Sequence, residues 1–256
     1  MKITLIPSAF SAHGINPHQY LTSYVINDTV AIDAGAIGFY EGPREQAAIR
    51  HVFLSHSHFD HLASLPIFLE NIFGLSAAPV VVHASAAVQQ TLRMDIFNGR
   101  LWPNFIELTQ NNRPFVTLHT IASEQTVAVD GLRITPITVP HVVPTLGFII
   151  EDAGSAIVIG SDTGPSEEIW RRARVTPNLK AVFLEATFPN EMAGLANLTM
   201  HLTPADFLGE MKKLTLPVRF YAVHLKAQFR EQLAQQLLAP RLPNLEIAKF
   251  GVPYQI

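Results

Sequence analysis

One short stretch of the sequence concentrates side chains that could bind metal ions: Ser55-His56-Ser57-His58-Phe59-Asp60-His61-Leu62. On an α-helix, His56 and His58 would point about 200° apart and could not share an ion. In a tight loop that leaves a strand they can converge on one cation, while Asp60 and His61, entering the next helix, face a neighbouring cation. The motif therefore predicts two adjacent metal ions.

Two divalent ions about 3.5 to 4 Å apart repel each other and need a shared anion, usually a carboxylate together with hydroxide. Asp162, in the segment Gly160-Ser161-Asp162-Thr163-Gly164, is the candidate bridge. His141 would complete the first ion's ligands and His224 those of the second. Because the chain has no cysteine, thiolate ligands are excluded, and this set suits two zinc ions, with iron or manganese as alternatives. The predicted metal ligands are His56, His58, Asp60, His61, His141, Asp162 and His224.

The elements that must position these side chains are short runs rich in Val and Ile. Several of them lead to a polar residue that does not suit a buried sheet. If the runs are strands that share one sheet edge, side chains far apart in the sequence converge at one rim, where α/β folds place their chemistry. The runs are 52–54 leading to His56, 134–139 to His141, 156–159 to Asp162, 182–184 to Glu185 and 220–223 to His224.

The rest of the chain mixes strand and helix patterns. A turn is expected at Asn27-Asp28 and a hairpin at Asp130-Gly131. Thr203, Pro204 and Asp206 mark the start of a helix that runs to about Lys213. Other predicted strands are 2–6, 24–26, 30–32, 51–54, 80–82, 127–129 and 133–139, with a second hairpin joining 147–150 to 155–159; the other predicted helices are 62–73 and 85–97.

Composition narrows the functional classes. Of 256 residues, 48% are hydrophobic and 15% are charged, against a usual charged share of roughly 25%, which excludes a disordered chain. With no linker or repeat, a single domain over 1–256 is expected. Eighteen Lys and Arg against 21 Asp and Glu give a net charge of −3, which disfavours nucleic acid as a partner. No apolar run approaches the roughly 18 residues of a membrane span, so a cytoplasmic protein without membrane contact is expected.

The pattern His-x-His-x-Asp-His, followed by downstream His, Asp and His, resembles the metallo-β-lactamase superfamily. The resemblance implies an α/β fold, a four-layered αββα sandwich with a dimetal rim. Residues 58–65 are also similar to the signature of class II 3′,5′-cyclic-nucleotide phosphodiesterases. Further segments that resemble bacterial members of that class are 96–98, 102–103, 141–144, 162–165, 185–190, 201–204 and 224–226.

The activity implied is hydrolysis of a 3′,5′-cyclic nucleotide, cAMP or cGMP, to a 5′-nucleotide by a hydroxide held between the two ions. His201 is the candidate proton donor to the departing 3′ oxygen, and Glu185 would hydrogen-bond and orient it. Asp60 is a candidate both for ligation and for holding the hydroxide. Because the Glu–His pair also resembles ribonuclease Z, an RNA phosphodiesterase is the alternative. A lactonase, a thioesterase and a nonenzymatic nucleotide sensor are weaker alternatives.

Other residues receive weaker assignments. Asn98, Trp102 and Phe105 are candidates for stacking and amide contacts to a base, although core packing also explains the two aromatic side chains. Lys226 suits either a phosphate contact or a solvated position. The partner expected is therefore a small cyclic nucleotide, and the resemblance adds a homodimer. The remaining histidines, His13, His18, His51, His83 and His119, are assigned no chemistry.

Overall fold

Two seven-stranded sheets lie at the centre of the structure. It is a computed structural model that describes residues 1–11, 14–76, 78–110 and 113–256, so His13 lies outside the described residues. The strands are β1 (Lys2–Leu5), β2 (Phe10–Ser11), β3 (Gly14–Ile15), β4 (Tyr24–Ile26), β5 (Val30–Ile32), β6 (His51–Phe53), β7 (Val80–Ala84), β8 (Thr109–Gln110), β9 (Arg113–Pro114), β10 (Val116–Thr120), β11 (Val127–Val129), β12 (Leu132–Val139), β13 (Thr145–Glu151), β14 (Ala156–Ile159), β15 (Leu179–Glu185), β16 (Arg219–Val223), β17 (Leu245–Ile247) and β18 (Pro253–Gln255).

The helices cover the outer faces of the two sheets. They are α1 (Pro43–Gln46), α2 (Phe59–Leu62), α3 (Leu65–Ile72), α4 (Ala86–Thr91), α5 (Glu168–Arg174), α6 (Ala193–Thr199), α7 (Pro204–Lys212) and α8 (Arg230–Leu238), with 3₁₀ turns at Ile37–Phe39, Asn190–Met192 and Ala227–Phe229 and a π-helical turn at Leu92–Ile96. In the described part of the chain, no helix combines the length and the apolar character that a bilayer crossing requires.

The strand order is β10-β7-β6-β5-β4-β1-β18 in the first sheet and β11-β12-β13-β14-β15-β16-β17 in the second. Strands β5, β6, β7 and β10 are parallel neighbours in the first sheet, and β14 to β17 are parallel neighbours in the second. The carboxyl ends of parallel strands meet at one edge, so the residues that follow them gather there.

Three apolar clusters show four layers. The cluster between the sheets includes Phe53, Phe148 and Phe183. A second cluster joins the first sheet to helices such as α3, through Phe68. The third joins the second sheet to α5 and α7, through Trp170 and other buried side chains. This arrangement of helices, sheet, sheet and helices is the αββα sandwich that the sequence predicted. The single domain over 1–256 stays a prediction.

Turn and cap chemistry was predicted correctly. Asn27 and Asp28 have φ of 47° and 61°, and Asp130 and Gly131 have φ of 46° and 79°, as tight hairpins require. The second hairpin joins β13 to β14, whose first strand is longer than predicted. Thr203 caps α7 through a reciprocal pair of hydrogen bonds with Asp206.

The prediction of one helix over 62–73 was wrong. The structure has α2 and α3 separated at Ser64, with Pro66 in the first turn of α3. Proline has no N–H, so a continuous helix would lose the hydrogen bond from residue 66 to residue 62 and would place the ring against the preceding turn. The helix predicted over 85–97 begins as expected, with Ser85 as its cap, but ends in the π-helical turn, closed by Phe97 N–H donating to Leu92 O.

Candidate metal centre

Strand ends from both sheets bring the predicted ligands to one rim. His56 follows β6 in the first sheet, and α2 then carries Asp60 and His61. In the second sheet Asp162 follows β14 and His224 follows β16. The remaining two candidates are His58, which precedes α2, and His141, which follows β12.

The first ligand group consists of His56, His58, His141 and Asp162, whose ligand atoms all lie within 4.8 Å of one another. His141 Nε2 is 3.3 Å from His58 Nδ1, and His56 Nε2 is 3.8 Å from Asp162 Oδ2. Three imidazoles and one carboxylate oxygen are a donor set that suits zinc.

The second ligand group consists of Asp60, His61, Asp162 and His224, again within 4.8 Å of one another. His224 Nε2 lies 3.2 Å from Asp60 Oδ2, and His61 Nε2 lies 3.3 Å from Asp162 Oδ1. Asp162 thus turns Oδ2 towards the first group and Oδ1 towards the second. A carboxylate with one oxygen on each side can bridge two cations.

The ring nitrogens test whether these residues fit a metal. His61 Nδ1 is 2.7 Å from Asp33 Oδ2, and His56 Nδ1 is 2.9 Å from Ser55 Oγ. Because Nδ1 is hydrogen-bonded in each ring, Nε2 is the nitrogen that faces Asp162. Among the described side chains, both Nε2 atoms are buried without a well-formed hydrogen bond. Buried ring nitrogens without a hydrogen-bond partner are costly, and both of these lie beside the shared carboxylate of Asp162, so the residues fit bound divalent ions.

The protonation states of the ligands differ: His56 and Asp162 are ready to bind a cation, whereas His61 is not. Burial, together with neighbouring His61, lowers the pKa of His56 to about 2, so its ring is neutral. Burial opposes ionisation of Asp162, but His224 and His61 hold the pKa of its carboxyl well below the usual range. Burial likewise opposes a proton on His61, yet Asp162 and Asp33 raise its pKa well above 6.5. Metal binding must therefore displace a proton from His61.

Glu185 and His201 form a third cluster beside the two groups. His201 Nδ1 is 2.7 Å from Glu185 Oε1, and Glu185 is completely buried. The His201 ring stacks on His224 with centroids 5.7 Å apart and meets His141 edge-on at 5.0 Å. Burial lowers the pKa of His201, but Glu185 outweighs that effect and raises it above 6.5. Because Nδ1 is held by Glu185, Nε2 is the nitrogen that can exchange a proton.

Sequence reasoning missed the residues that orient the ligands. Asp33 is buried and accepts hydrogen bonds from the backbone N–H and hydroxyl of Ser55 as well as facing His61. Thr187 Oγ1 contacts His224 Nδ1 at 2.9 Å and donates to Glu185. Asp33 follows strand β5 just as His56 follows β6, so the rule of polar residues at strand ends could have found it.

The three residues predicted to contact a base, Asn98, Trp102 and Phe105, do not belong to either ligand group. The side chain of Asn98 makes hydrogen bonds to the neighbouring backbone. Its amide donates to Met94 O, and its Oδ1 accepts from Arg100 N–H and Leu101 N–H. Phe105 is buried in the core of the first sheet, and Trp102 packs against the same core. A surface cavity of about 590 Å³ contains both aromatic rings and none of the seven predicted metal ligands. Their role in binding a base stays a prediction.

A smaller cavity of about 170 Å³ opens directly beside the second ligand group. Asp60 and His224 line it together with Tyr20, which is 55% exposed. Lys226, a cationic residue, also lines this cavity. A phosphate ester placed here would contact the candidate metal centre, a cation and an aromatic ring together.

These features define the class of the protein. Residues 32–225 match the family described as "Beta-lactamase superfamily domain". The chain therefore belongs to the metallo-β-lactamase superfamily. This fold implies divalent metal ions, and the His and Asp clusters fit a metal site.

Individual relatives include both cyclic-nucleotide and RNA enzymes. A probable 3′,5′-cyclic-nucleotide phosphodiesterase of Yersinia pestis is 28% identical over 182 residues, 65% of this chain and 51% of the relative. Endoribonuclease YSH1 of Gibberella zeae is 25% identical over 225 residues, 82% of this chain and 26% of the relative. The chain thus spans about half, or less, of these curated relatives. The crystal structure of unliganded yeast PDE1 shares the fold, with a TM-score of 0.77 at 15% identity over 98% of both chains.

Proposed function

We propose that this hydrolase is a metal-dependent phosphodiesterase that opens 3′,5′-cyclic nucleotides to 5′-nucleotides. The observation that carries the proposal is the Glu185–His201 pair, 2.7 Å apart, at the side of two ligand groups joined by Asp162. Cleaving a phosphodiester requires an activated water, stabilisation of charge on phosphate, and a proton for the leaving oxygen. Each requirement has a group at the rim. The 28% identity to the Yersinia pestis protein supports the cyclic substrate.

The ligand groups would hold two divalent cations, which we propose are zinc. Ions there would supply Lewis acidity towards a phosphate oxygen and would lower the pKa of water. The protein's part is to keep the donors in place: Asp33 holds His61, Ser55 contacts His56 and Thr187 holds His224. Fixed ligands limit the reorganisation that accompanies a change in charge.

His201 would protonate the departing 3′ oxygen through Nε2. Glu185 keeps His201 charged by raising its pKa, and it also fixes the ring through Nδ1. Glu185 is itself held by Thr163 N–H at 2.8 Å and Leu202 N–H at 3.2 Å. A carboxylate held in this way does not compete for the substrate, so its effect is exerted through the imidazole.

The cavity beside the second ligand group is where we place the rest of the nucleotide. Tyr20 offers an exposed ring to a base, and the Lys226 ammonium is an attractive partner for a phosphate. Aromatic stacking is tolerant of base identity because every base has a π-face. This assignment therefore leads us to expect modest discrimination between adenine and guanine.

The test is a phosphorus NMR panel of cyclic and linear phosphodiesters with metal-loaded protein. The expected result is conversion of 3′,5′-cyclic AMP or GMP to the 5′-monophosphate. Production of the 3′-monophosphate would contradict the proposed role of His201 at the 3′ oxygen. No hydrolysis of any cyclic nucleotide would overturn the proposal.

An RNA phosphodiesterase is the second candidate, and the similarity to the Gibberella zeae endoribonuclease is the observation that favours it. The chemistry at phosphorus would be the same, but the substrate would need a long cationic surface. A net charge of −3 argues for the smaller substrate. Faster cleavage of a precursor RNA than of cyclic AMP by the same preparation would reverse the order.

A further inference from the structure

The segment Gln19–Thr22 lies between two residues of the second ligand group that come from different sheets. Asp60 belongs to α2, which follows the first sheet, and His224 follows β16 of the second. The carboxylate and the ring are only 3.2 Å apart, so small shifts between the sheets would change their spacing directly. Both residues are hydrogen-bonded to this segment through their backbones.

Gln19 contacts the backbone of His224. Its Oε1 accepts from His224 N–H at 2.8 Å, and a backbone bridge pairs Gln19 with Lys226. His224 has φ of 56°, the left-handed region that residues other than glycine rarely adopt. Such a conformation persists only when its surroundings enforce it. The amide of Gln19 is the side chain that satisfies the His224 N–H in this conformation.

Thr22 carries the connection on to Asp60. Gln19 Nε2 donates to Thr22 Oγ1 at 3.0 Å, and Thr22 N–H donates to Asp60 O at 2.8 Å. Gly35 closes the other side, donating its N–H to Thr22 O, and a Cβ on Gly35 would lie 1.9 Å from Asp60 O. The contact therefore requires glycine, and Asp60 is held tightly against the segment.

We propose that Gln19 is a positioning residue for the second ligand group, since it fixes His224 and, through Thr22, the approach of Asp60. The inference rests on the metal binding of the proposed function and not on its substrate. The hydrogen bonds of Gln19 reach neither His56, His58 nor His141 of the first ligand group. Loss of the Gln19 amide should therefore weaken one of two ions and leave the other in place.

The experiment is a competition titration of the metal-free full chain with Zn²⁺ against a chromophoric chelator, with bound metal counted by elemental analysis. Wild type is expected to bind two ions. Gln19→Met keeps the side-chain length but removes both hydrogen bonds, and it should weaken the second ion by about 10- to 100-fold, the usual effect of losing a group that orients a ligand. Affinity for the first ion should stay within about twofold.

Two further variants separate positioning from folding. Gln19→Glu keeps an acceptor for His224 N–H, so it should bind the second ion more tightly than Gln19→Met. Gln89→Met is the matched control, because Gln89 also makes two side-chain hydrogen bonds, to Ala84 O and Thr120 Oγ1, neither of which belongs to a ligand group. It should bind two ions as wild type does.

Unchanged affinity for both ions in Gln19→Met overturns the inference, as does equal weakening of both. If Gln19→Met does not fold, Thr22→Val decides the inference, because it removes the hydroxyl that accepts from Gln19 Nε2 without changing charge. Selective weakening of the second ion there supports the inference, and wild-type affinity for both ions overturns it. The inference is supported if wild type binds two ions and Gln19→Met loses affinity for the second ion only, even if the protein hydrolyses no cyclic nucleotide. The absence of hydrolysis would overturn the proposed activity but not the positioning role of Gln19.

Discussion

Two histidine clusters, one at the rim shared by both sheets and one on the first sheet, have similar spacing but different chemistry. At the rim, His58 and His141 approach to 3.3 Å. On the face of the sheet that carries Phe53, an inner-face triad of His51, His83 and His119 has nitrogens 3.1 and 2.9 Å apart. Closely spaced histidine side chains therefore do not by themselves indicate a metal site.

Lone-pair direction and carboxylates make the difference. In the inner-face triad, His83 uses Nε2 towards His51 and Nδ1 towards His119, so the three rings form a chain and do not converge. The carboxylate that influences His51, Asp130, is paired with Arg50. At the rim, the Nε2 atoms of His56, His61 and His224 lie 3.8, 3.3 and 3.6 Å from the carboxylate of Asp162, whose negative charge offsets that of a cation.

The largest effect should come from removing the shared carboxylate. Asp162→Asn loses the negative charge between the ligand groups, so bound metal should fall to one ion or none and turnover of cyclic AMP by at least about a thousandfold. His119→Asn, in the inner-face triad, is the comparison and should keep both ions and near-wild-type turnover. Elemental analysis and initial rates measure both quantities, and metal loss in His119→Asn would contradict the distinction between the clusters.

The next effect separates rim residues that bind metal from one that moves a proton. His201→Ala should retain both ions but lower kcat for cyclic AMP by about 10²- to 10⁴-fold, the usual contribution of a general acid. A p-nitrophenyl phosphodiester, whose leaving group needs no proton, should lose much less. Equal losses on the two substrates would remove His201 from the proton-donor role.

The inner-face triad should reveal itself through stability. Burial, with His51 and His119 nearby, lowers the pKa of His83 to about 3 from 6.5. Between pH 6.5 and about pH 3, His83 is protonated in the unfolded chain but neutral in the folded protein. Protonation therefore stabilises the unfolded state, and the free energy of unfolding falls as the pH drops below 6.5. Lowering the pH from 8 to 5 should therefore reduce the free energy of unfolding by about 2 kcal/mol through this group, at 1.36 kcal/mol per pH unit below 6.5.

His83→Phe tests that expectation, since it keeps a ring to stack on Phe53, 4.1 Å away, but cannot titrate. Urea unfolding of the metal-free protein at pH 8 and pH 5 gives the free energy of unfolding for each form. On going from pH 8 to pH 5, the free energy of unfolding of His83→Phe should rise by about 2 kcal/mol relative to that of wild type. A difference independent of pH would show that His83 does not carry the acid sensitivity.

The same contrast explains what the sequence could predict. The rim ligands follow short strands, so local pattern and sheet-edge convergence located them together. The inner-face triad depends on the register of β6, β7 and β10, in which His83 pairs with His119 and with Phe53. Parallel register joins strands that are far apart in sequence, and no local pattern encodes it. Gln19 was missed for the same reason, since its partner His224 is 205 residues away.

The smallest effect concerns the two aromatic environments. Phe53 is buried and stacks on His83, whereas Tyr20 is exposed beside Asp60 and His224. Tyr20→Ala should raise KM for cyclic AMP about fivefold with kcat unchanged, because an exposed stacking contact contributes about 1 kcal/mol. Tyr20→Phe should restore wild-type KM, since stacking needs the ring and not the hydroxyl. Steady-state kinetics decides this, and an unchanged KM in Tyr20→Ala would move the base away from this cavity and back towards Trp102.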